Sequence, residues 1–491
     1  MTQRSARHMT KSQNTARSMK FMSGSAIIAQ VAMVVRQFVI LKVIGPENYG
    51  IAVPMMLATE LLNRLLEMNP GSIVVQDKFG STRRFRDAMQ FIGVSRGFVF
   101  FLILLLLAVP LAIFNDLNTR EYVMGFMFIS LVPLIRGFSH VDVFRQMRRQ
   151  RFGRLAFSSS ATPIATTAMV LVLCLFMNSF WLPLIARFID ATLGLIMSFV
   201  IAKRKWRMRY DRQSTVRIIK FVLPLIVGGF VIFVAARGNQ QLMSASDFLF
   251  GYEIPKSMVG TLAAAVTIAM MPATISSKVI TQVFSSKFAD TARQGGNVSK
   301  LLERVQALGF TLGAAALILL QGGAVVVPIL LTNQYEAAGP FLVVLSLWSG
   351  LRVSGTTTKA LALGLGRSKI IMYSNFWSLL GFAGSFWVIY NQRDLVEIAY
   401  CMGMGELISS IARCVMIKKI LPSADMKTLF VMPGLVLLGA LGIGIAQRYA
   451  IEGLSIPVAM LVIMVSVGVG TGALSLIWPP TRKIVWQKIH G

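Results

Sequence analysis

The feature that most constrains this chain is a succession of apolar stretches, each about the length that crosses a bilayer. Inside lipid every backbone N–H and C=O must be paired internally, so continuous runs of about 20 apolar residues become helices. We read about fourteen such segments, at 19–41, 50–69, 88–114, 121–141, 155–178, 181–202, 217–245, 251–275, 307–331, 337–358, 370–390, 395–416, 428–447 and 454–478. Twelve is the alternative, because Glu60, Arg64 and Glu67 interrupt the second segment and Arg352 the tenth. A mean hydropathy of +0.67, with 55% hydrophobic and 14% charged residues, agrees with this and excludes an ordinary soluble domain. The expected fold class is an all-α polytopic membrane protein.

A net charge of +29 would suggest nucleic acid in a soluble protein. Here the basic residues follow topology instead. With the N-terminus inside, about 37 of the 49 Lys and Arg fall in loops on that side and about five in the opposite loops. That asymmetry places both ends in the cytoplasm and leaves no need for a nucleic-acid partner. Cys174, Cys401 and Cys414 lie in or beside spans, so no disulfide framework is implied. The first twenty residues are polar and basic and run into a full-length span without an obvious cleavage site, which reads as an uncleaved first helix. The longest loop, 276–306, is basic and is expected to hold a short amphipathic helix on the inner surface.

Seven arginines lie five or more residues inside an apolar segment: Arg36, Arg64, Arg96, Arg136, Arg187, Arg237 and Arg352. A cation at the bilayer centre costs about 3 kcal/mol or more, so such residues face a cavity or a partner. Fewer carboxylates accompany them, chiefly Glu60, Glu67, Asp190 and Glu406. The surplus is positive and points to an anionic substrate. By this reading every intramembrane cation is Arg and none is Lys. A guanidinium binds phosphate oxygens through two parallel hydrogen bonds and keeps its charge when buried.

An internal repeat is also visible. Arg36 is followed by Gly50 and Pro54, and Arg237 by Gly251 and Pro255 at the same spacings, with an aromatic residue beside each glycine. Both copies begin inside, so the repeats are parallel. The basic stretch 203–220 is the natural joint, giving an N-terminal lobe over 1–210, a C-terminal lobe over 211–425 and an added helix pair with a tail over 426–491.

The run GSAIIAQVAMVVRQFVILKVIGPENYGIA resembles the opening of the Wzx-type polysaccharide flippases, whose first span leads to an LGPEDYG-like turn; Ile44 and Asn48 depart from that pattern. The stretches FVLPLIVGGFVIFVAARGNQQLMSA and FLFGYEIPKSM resemble the seventh span and the turn after it, and GLGRSK between spans ten and eleven also fits. The likeness covers nearly the whole chain. It implies the multidrug/oligosaccharidyl-lipid/polysaccharide exporter fold shared by MATE and MurJ proteins, with two six-helix lobes around a central cavity that opens to either side in turn.

On the second span Glu60, Asn63, Arg64 and Glu67 share one helix face. That face is either a self-neutralising ladder or an arginine aimed at an anion and tuned by two glutamates. Arg237 shares a face with Gln240, Gln241 and Ser244 and has no acidic residue within a turn. Arg36 tops a face of small residues, Ser25, Ala29 and Ala32. Either arginine points into a cavity or snorkels to the outer headgroups. Arg136 and Arg352 sit nearer inner helix ends, where snorkelling inward is the alternative. Arg96, between Gly93 and Gly97, belongs to a packing seam. Arg187 has Asp190 three residues on, which suggests a local pair, and Glu406 shares a face with Ser409, Ser410 and Arg413.

The histidines are scattered and there is no phosphate-binding loop, so neither a metal cluster nor an ATPase is expected. His140 and Asp142 are the one pair that raises an enzymatic question. The expectation is therefore a non-enzymatic flippase of the bacterial inner membrane, moving a polyprenyl-diphosphate-linked oligosaccharide by alternating access. Arg36, Arg64, Arg136, Arg237 and Arg352 are its candidate substrate ligands, and Glu60, Glu67, Asp190 and Glu406 its coupling or gating carboxylates. Expected partners are the anionic lipid-linked oligosaccharide and the bilayer, with the polysaccharide polymerase and chain-length machinery as further candidates. The chain is expected to act as a monomer without a cofactor. A MATE-type drug or cation antiporter and a membrane-embedded polymerase are the rival readings.

Overall fold

The computed structural model describes residues 2–65, 82–142, 153–331, 333–425 and 431–477, with residues 80 and 144. These residues are helical almost throughout and contain no strand. In order the helices are α1 (Thr2–Leu65), α2 (Arg83–Leu106), α3 (Ala108–Phe114), α4 (Arg120–Ile129), α5 (Leu131–Gly137), α6 (Gly153–Leu173), α7 (Trp181–Ile201), α8 (Arg212–Ser244) and α9 (Ser246–Phe250). There follow α10 (Lys256–Arg293), α11 (Val298–Leu330), α12 (Ala338–Ser354), α13 (Thr356–Gly364), α14 (Ser368–Trp377), α15 (Leu379–Tyr390), α16 (Val396–Ile420), α17 (Met432–Ile451) and α18 (Ile456–Ile477).

Each apolar segment read from the sequence falls on one of these helices or on two joined end to end. Among the described residues, nine helical stretches are long and apolar enough to cross a membrane. Leu106, Leu175, Phe176, Val200, Leu438 and Val469 are each at least two-thirds exposed, from 67% to 79%. Apolar surface on that scale is stable only against lipid. The protein is an all-α polytopic membrane protein.

The chain forms two compact units. The first holds residues 1–44 and 51–230, and the second residues 45–50 and 231–491. In the first unit α2 packs on α5, α5 on α7, and α7 on α6. In the second, α11 is the central helix, touching α10, α12, α17 and α18, while α16 packs on α12, α14 and α15. The added pair α17–α18 thus rests on α11, through a core of Leu317, Ile318, Leu437, Ala440 and Leu474.

Three local features differ from expectation. Helix α1 turns at Gly45, whose φ of 71° and ψ of 172° suit only glycine. Gly251 has a left-handed backbone (φ 74°), whereas Gly50, its match in the sequence repeat, is helical. Gly50 instead permits close backbone contact: a Cβ there would run into the carbonyl of Lys256, and one on Gly260 into that of Pro46. No separate surface helix forms between 276 and 306. Helix α10 runs unbroken for 38 residues, about 57 Å at 1.5 Å per residue, well beyond a hydrocarbon core of about 30 Å. The chain then turns at Gly295 (φ 67°), and Asn297 caps α11 by accepting a 2.9 Å hydrogen bond from the Lys300 amide.

Candidate functional site: two carboxylates, each shared by two arginines

The first site lies inside the first unit. Pro133 cannot donate to a helical ladder, and the chain breaks at Ser130 between α4 and α5. Helix α5 is then held close to α2, where Gly93 and Gly97 meet the backbone around Gly137. Its end is tied down by Gln90, which donates to the Ser139 carbonyl at 3.0 Å and accepts from the Val141 amide at 3.3 Å. These contacts fix Arg136, one residue before Gly137.

Arg136 donates to Asp190 Oδ2 on α7 at 3.3 Å, and Arg36 on α1 lies 3.7 Å from Oδ1 of the same carboxylate. Asp190 therefore pairs across helices, with Arg36 and Arg136, and not with Arg187 on its own helix as the sequence suggested. Arg187 is exposed, yet still within electrostatic reach of both Arg36 and Arg136. Glu60 is within reach of Arg136. Side-chain exposures are 17% for Arg36, 35% for Arg136 and 26% for Asp190, so this carboxylate remains accessible.

The second site lies inside the second unit. Glu406 on α16 is 3.7 Å from Arg352 on α12 and 4.0 Å from Arg413 on its own helix. Arg413 is fully buried; its Nε donates to Ser374 at 3.1 Å and its Nη2 to Ser409 at 3.2 Å, while Nη1 has no hydrogen-bond partner. The Arg352 guanidinium also lies over the Trp348 ring, 4.9 Å from its centre. Lys359 on α13 is within electrostatic reach of Glu406, Arg352 and Arg413.

The spacing of the two sites is the same. Asp190 follows Arg136 by 54 residues, and Glu406 follows Arg352 by 54. That recurrence was open to sequence reading and was missed, because Asp190 was assigned to Arg187. Lys359 lies one residue past the expected end of the tenth segment, and it corrects the expectation that every intramembrane cation is Arg. The helical stretch in fact continues to Gly364. Thr356, Thr357 and Thr358 donate to the carbonyls of Val353, Ser354 and Gly355 at 2.6 to 2.9 Å, so their hydroxyls are satisfied within the helix. Arg413 carried a signal in its seven-residue spacing from Glu406, two turns along the same face.

Arg237 joins neither site. Its Nη1 donates to Thr267 at 3.2 Å and to Gln240 at 3.5 Å, and its Nε is buried without a partner. Asn239, Gln240 and Ser244 beside it are each 1% exposed and also hold unpaired polar atoms. Arg64 is on α1, but its side chain and Glu67 lie outside the described residues. Arg96 sits on α2 between the glycines that pack against α5.

His140 and Asp142 are explained by structure. The buried imidazole donates from Nε2 to the Arg204 carbonyl at 2.9 Å and accepts at Nδ1 from the Asp142 amide at 3.1 Å. Both nitrogens are occupied, which fixes the neutral Nε2–H tautomer. Asp142 accepts from the Lys203 amide at 3.1 Å, so the pair ties the loop after α7 to the end of α5. Among the described residues no group of His, Cys, Asp or Glu is arranged to hold a metal ion.

Against known proteins, residues 39–340 match the family model described as polysaccharide biosynthesis protein. No curated protein matches the sequence significantly. Among solved structures, the lipid II flippase MurJ in an inward closed conformation superposes with a TM-score of 0.69 at 11% identity, covering 92% of this chain and 98% of that one. The eukaryotic MATE transporter AtDTX14 gives 0.59 at 12%, with 86% and 99% covered. An inward-facing multidrug resistance MATE transporter of the MOP superfamily gives 0.59 at 12%, with 84% and 98% covered. At these identities the likeness is one of fold: this chain has a MurJ- and MATE-like fold.

Proposed function

The chain belongs to the polysaccharide biosynthesis protein family, and from that premise we propose that it is a flippase for an anionic, lipid-linked oligosaccharide. The cargo hangs on a polyprenyl diphosphate and moves from the cytoplasmic to the periplasmic leaflet of a bacterial inner membrane. Both termini are cytoplasmic. The observation that carries this reading is Asp190 held at 3.3 and 3.7 Å by two arginines within apolar helices. A carboxylate on two guanidinium forks is a stand-in for phosphate, since both are planar or tetrahedral oxyanions that accept paired N–H donors.

A diphosphate brings about two negative charges, against the one on Asp190. It displaces the carboxylate from Arg36 and Arg136, and Asp190 returns when the cargo leaves. The free guanidiniums are then never bare, which lowers the barrier to release. Arg64 and Arg237 supply further contacts along the path, with Glu60 and Glu67 tuning Arg64. The unpaired amides of Asn239 and Gln240 suit sugar hydroxyls. The fold alone is equally that of a MATE drug antiporter. Such an exporter of cations needs carboxylates free to meet its cargo, and here Asp190 and Glu406 are each engaged by two arginines.

The test is twofold. Polyprenyl-diphosphate-linked glycans extracted from cells lacking the gene should accumulate as complete repeat units shielded from the periplasm. Arg36→Ala or Arg136→Ala should fail to restore surface polysaccharide, and Arg36→Lys should restore it in part. Truncated glycans in the deletion strain, or full complementation by both alanine variants, would rule the reading out. Export by way of a polymerase and chain-length complex would appear as co-purification of this chain with those proteins.

A further inference from the structure

The second site is more buried than the first: Glu406 is 7% exposed, against 26% for Asp190. Arg352, Lys359, Asn375 and Glu406 line one small cavity within the second unit, with Trp348 and Ser378 on its wall. The open space at its centre fits little more than a water-sized particle. A diphosphate headgroup does not fit there, whereas a single small ion does.

The wall is rich in donors and poor in acceptors. The Asn375 amide nitrogen is buried and unpaired, as is Nη1 of Arg413 directly behind Glu406. Lys359 has no salt bridge within 4 Å among the described residues and is reached only at longer range by Glu406, Arg352 and Arg413. Glu406 balances one positive charge, whereas Arg352 and Arg413, which keep theirs when buried, bring two before Lys359 is counted. A buried charge left without a partner costs several kcal/mol. A cation placed here would meet the field of two guanidiniums and the donor groups of Lys359 and Asn375 against one carboxylate, so the site favours an anion.

We infer that this cavity is a binding site for a small monovalent inorganic anion of halide size, held by Lys359, the Asn375 amide and the Arg352 guanidinium, with the charge of Arg413 behind Glu406 adding to the attraction. The ion completes the neutralisation that Glu406 begins and locks α12, α13, α14 and α16 together. It is separate from the Asp190 site and does not depend on what the protein carries.

The experiment is thermal unfolding of the full chain in nanodiscs, titrated with sodium bromide against sodium gluconate at constant ionic strength. An anion that binds only the folded state raises the unfolding temperature as ln(1 + [L]/Kd). The wild type should show that rise. Lys359→Met should shift the half-effective bromide concentration upward by about tenfold or more, the loss of about 1.4 kcal/mol. Glu406→Gln should shift it downward, because removing the carboxylate leaves the site more positive. Opposite signs in the two variants cannot come from a general loss of packing, and if one does not fold, the shift of the other is read together with the bromide position. Bromide anomalous scattering between Lys359 and Asn375 would locate the ion. Identical bromide curves for all three proteins would overturn the inference. So would full competition by inorganic pyrophosphate, which would make the cavity a headgroup subsite.

Discussion

Replacing Asp190 by Asn keeps its shape and removes the charge that Arg36 and Arg136 share. At 3.3 and 3.7 Å, each pair is worth about 5 kcal/mol of attraction at an effective dielectric of about 20. Desolvation of the ions cancels most of that, and the carboxylate keeps a quarter of its surface open to solvent. The net loss of stability should therefore be about 1–3 kcal/mol, well short of a fully buried pair broken outright. If the cargo must displace Asp190, the same 1–3 kcal/mol no longer opposes its binding, which corresponds to about 5- to 150-fold tighter association.

Release then suffers, because no carboxylate returns to the freed guanidiniums. In proteoliposomes carrying a fluorescent polyprenyl-diphosphate glycan, Asp190→Asn should lower KM by about tenfold and lower kcat with it. Those two changes together are the mark of a removed competitor in the ground state. The double variant Arg136→Gln with Asp190→Asn restores charge balance and should regain stability without regaining the tight binding. An unchanged or raised KM in Asp190→Asn, with the unfolding temperature lowered, would refute the exchange. Asp190 would then be a tether between α1, α5 and α7.

Three further outcomes follow from the backbone and one cap. Gly260→Val places a side chain against the Pro46 carbonyl and the Gly50 backbone and should destabilise by about 2 kcal/mol or more, read as a fall in unfolding temperature. Gly45→Ala forces an alanine into a backbone region reserved for glycine and should cost about 1–3 kcal/mol, measured the same way. Asp211 caps α8 by accepting a 3.0 Å hydrogen bond from the Ser214 amide, and contacts with Ser214 hold its carboxyl below the usual range. A carboxyl depressed by folding stabilises above its unfolded pKa and loses that contribution as pH falls through its folded pKa. Amide exchange at Ser214 and Thr215 should therefore quicken below about pH 4, and Asp211→Ala should show the fast exchange already at neutral pH.

The helices were legible because lipid leaves the backbone no other option, so hydropathy and length place them. Their joints were less so. Ser130, Gly355 and Ser378 break apolar segments that read as continuous, since a break that pairs its own carbonyls leaves no trace in composition. The arginines were legible as a class, but their partners were not. Asp190 lies 154 positions from Arg36 and 54 from Arg136, and sequence adjacency favoured Arg187 instead. Lys359 fell one residue outside a drawn boundary, although three threonines with satisfied hydroxyls carry the helix past it.

The repeated 54-residue interval gives a reason for pairing arginines through a carboxylate at all. A lone arginine in an apolar helix snorkels or distorts the bilayer, and a lone carboxylate takes up a proton. A carboxylate between two guanidiniums avoids both fates, and it can let one go while the other still holds it. What the arrangement then does depends on access. Asp190 is 26% exposed between arginines that are themselves 17% and 35% exposed, which is the access that the proposed exchange requires. Glu406 is 7% exposed, with Arg413 at 0% behind it and a cavity too small for a headgroup in front. On the proposed reading the same motif is exchangeable in the first unit and locked in the second, beside a cavity that suits a small anion. A carboxylate variant should follow that division: Asp190→Asn should act on the kinetics of transport, and Glu406→Gln chiefly on the halide dependence of stability.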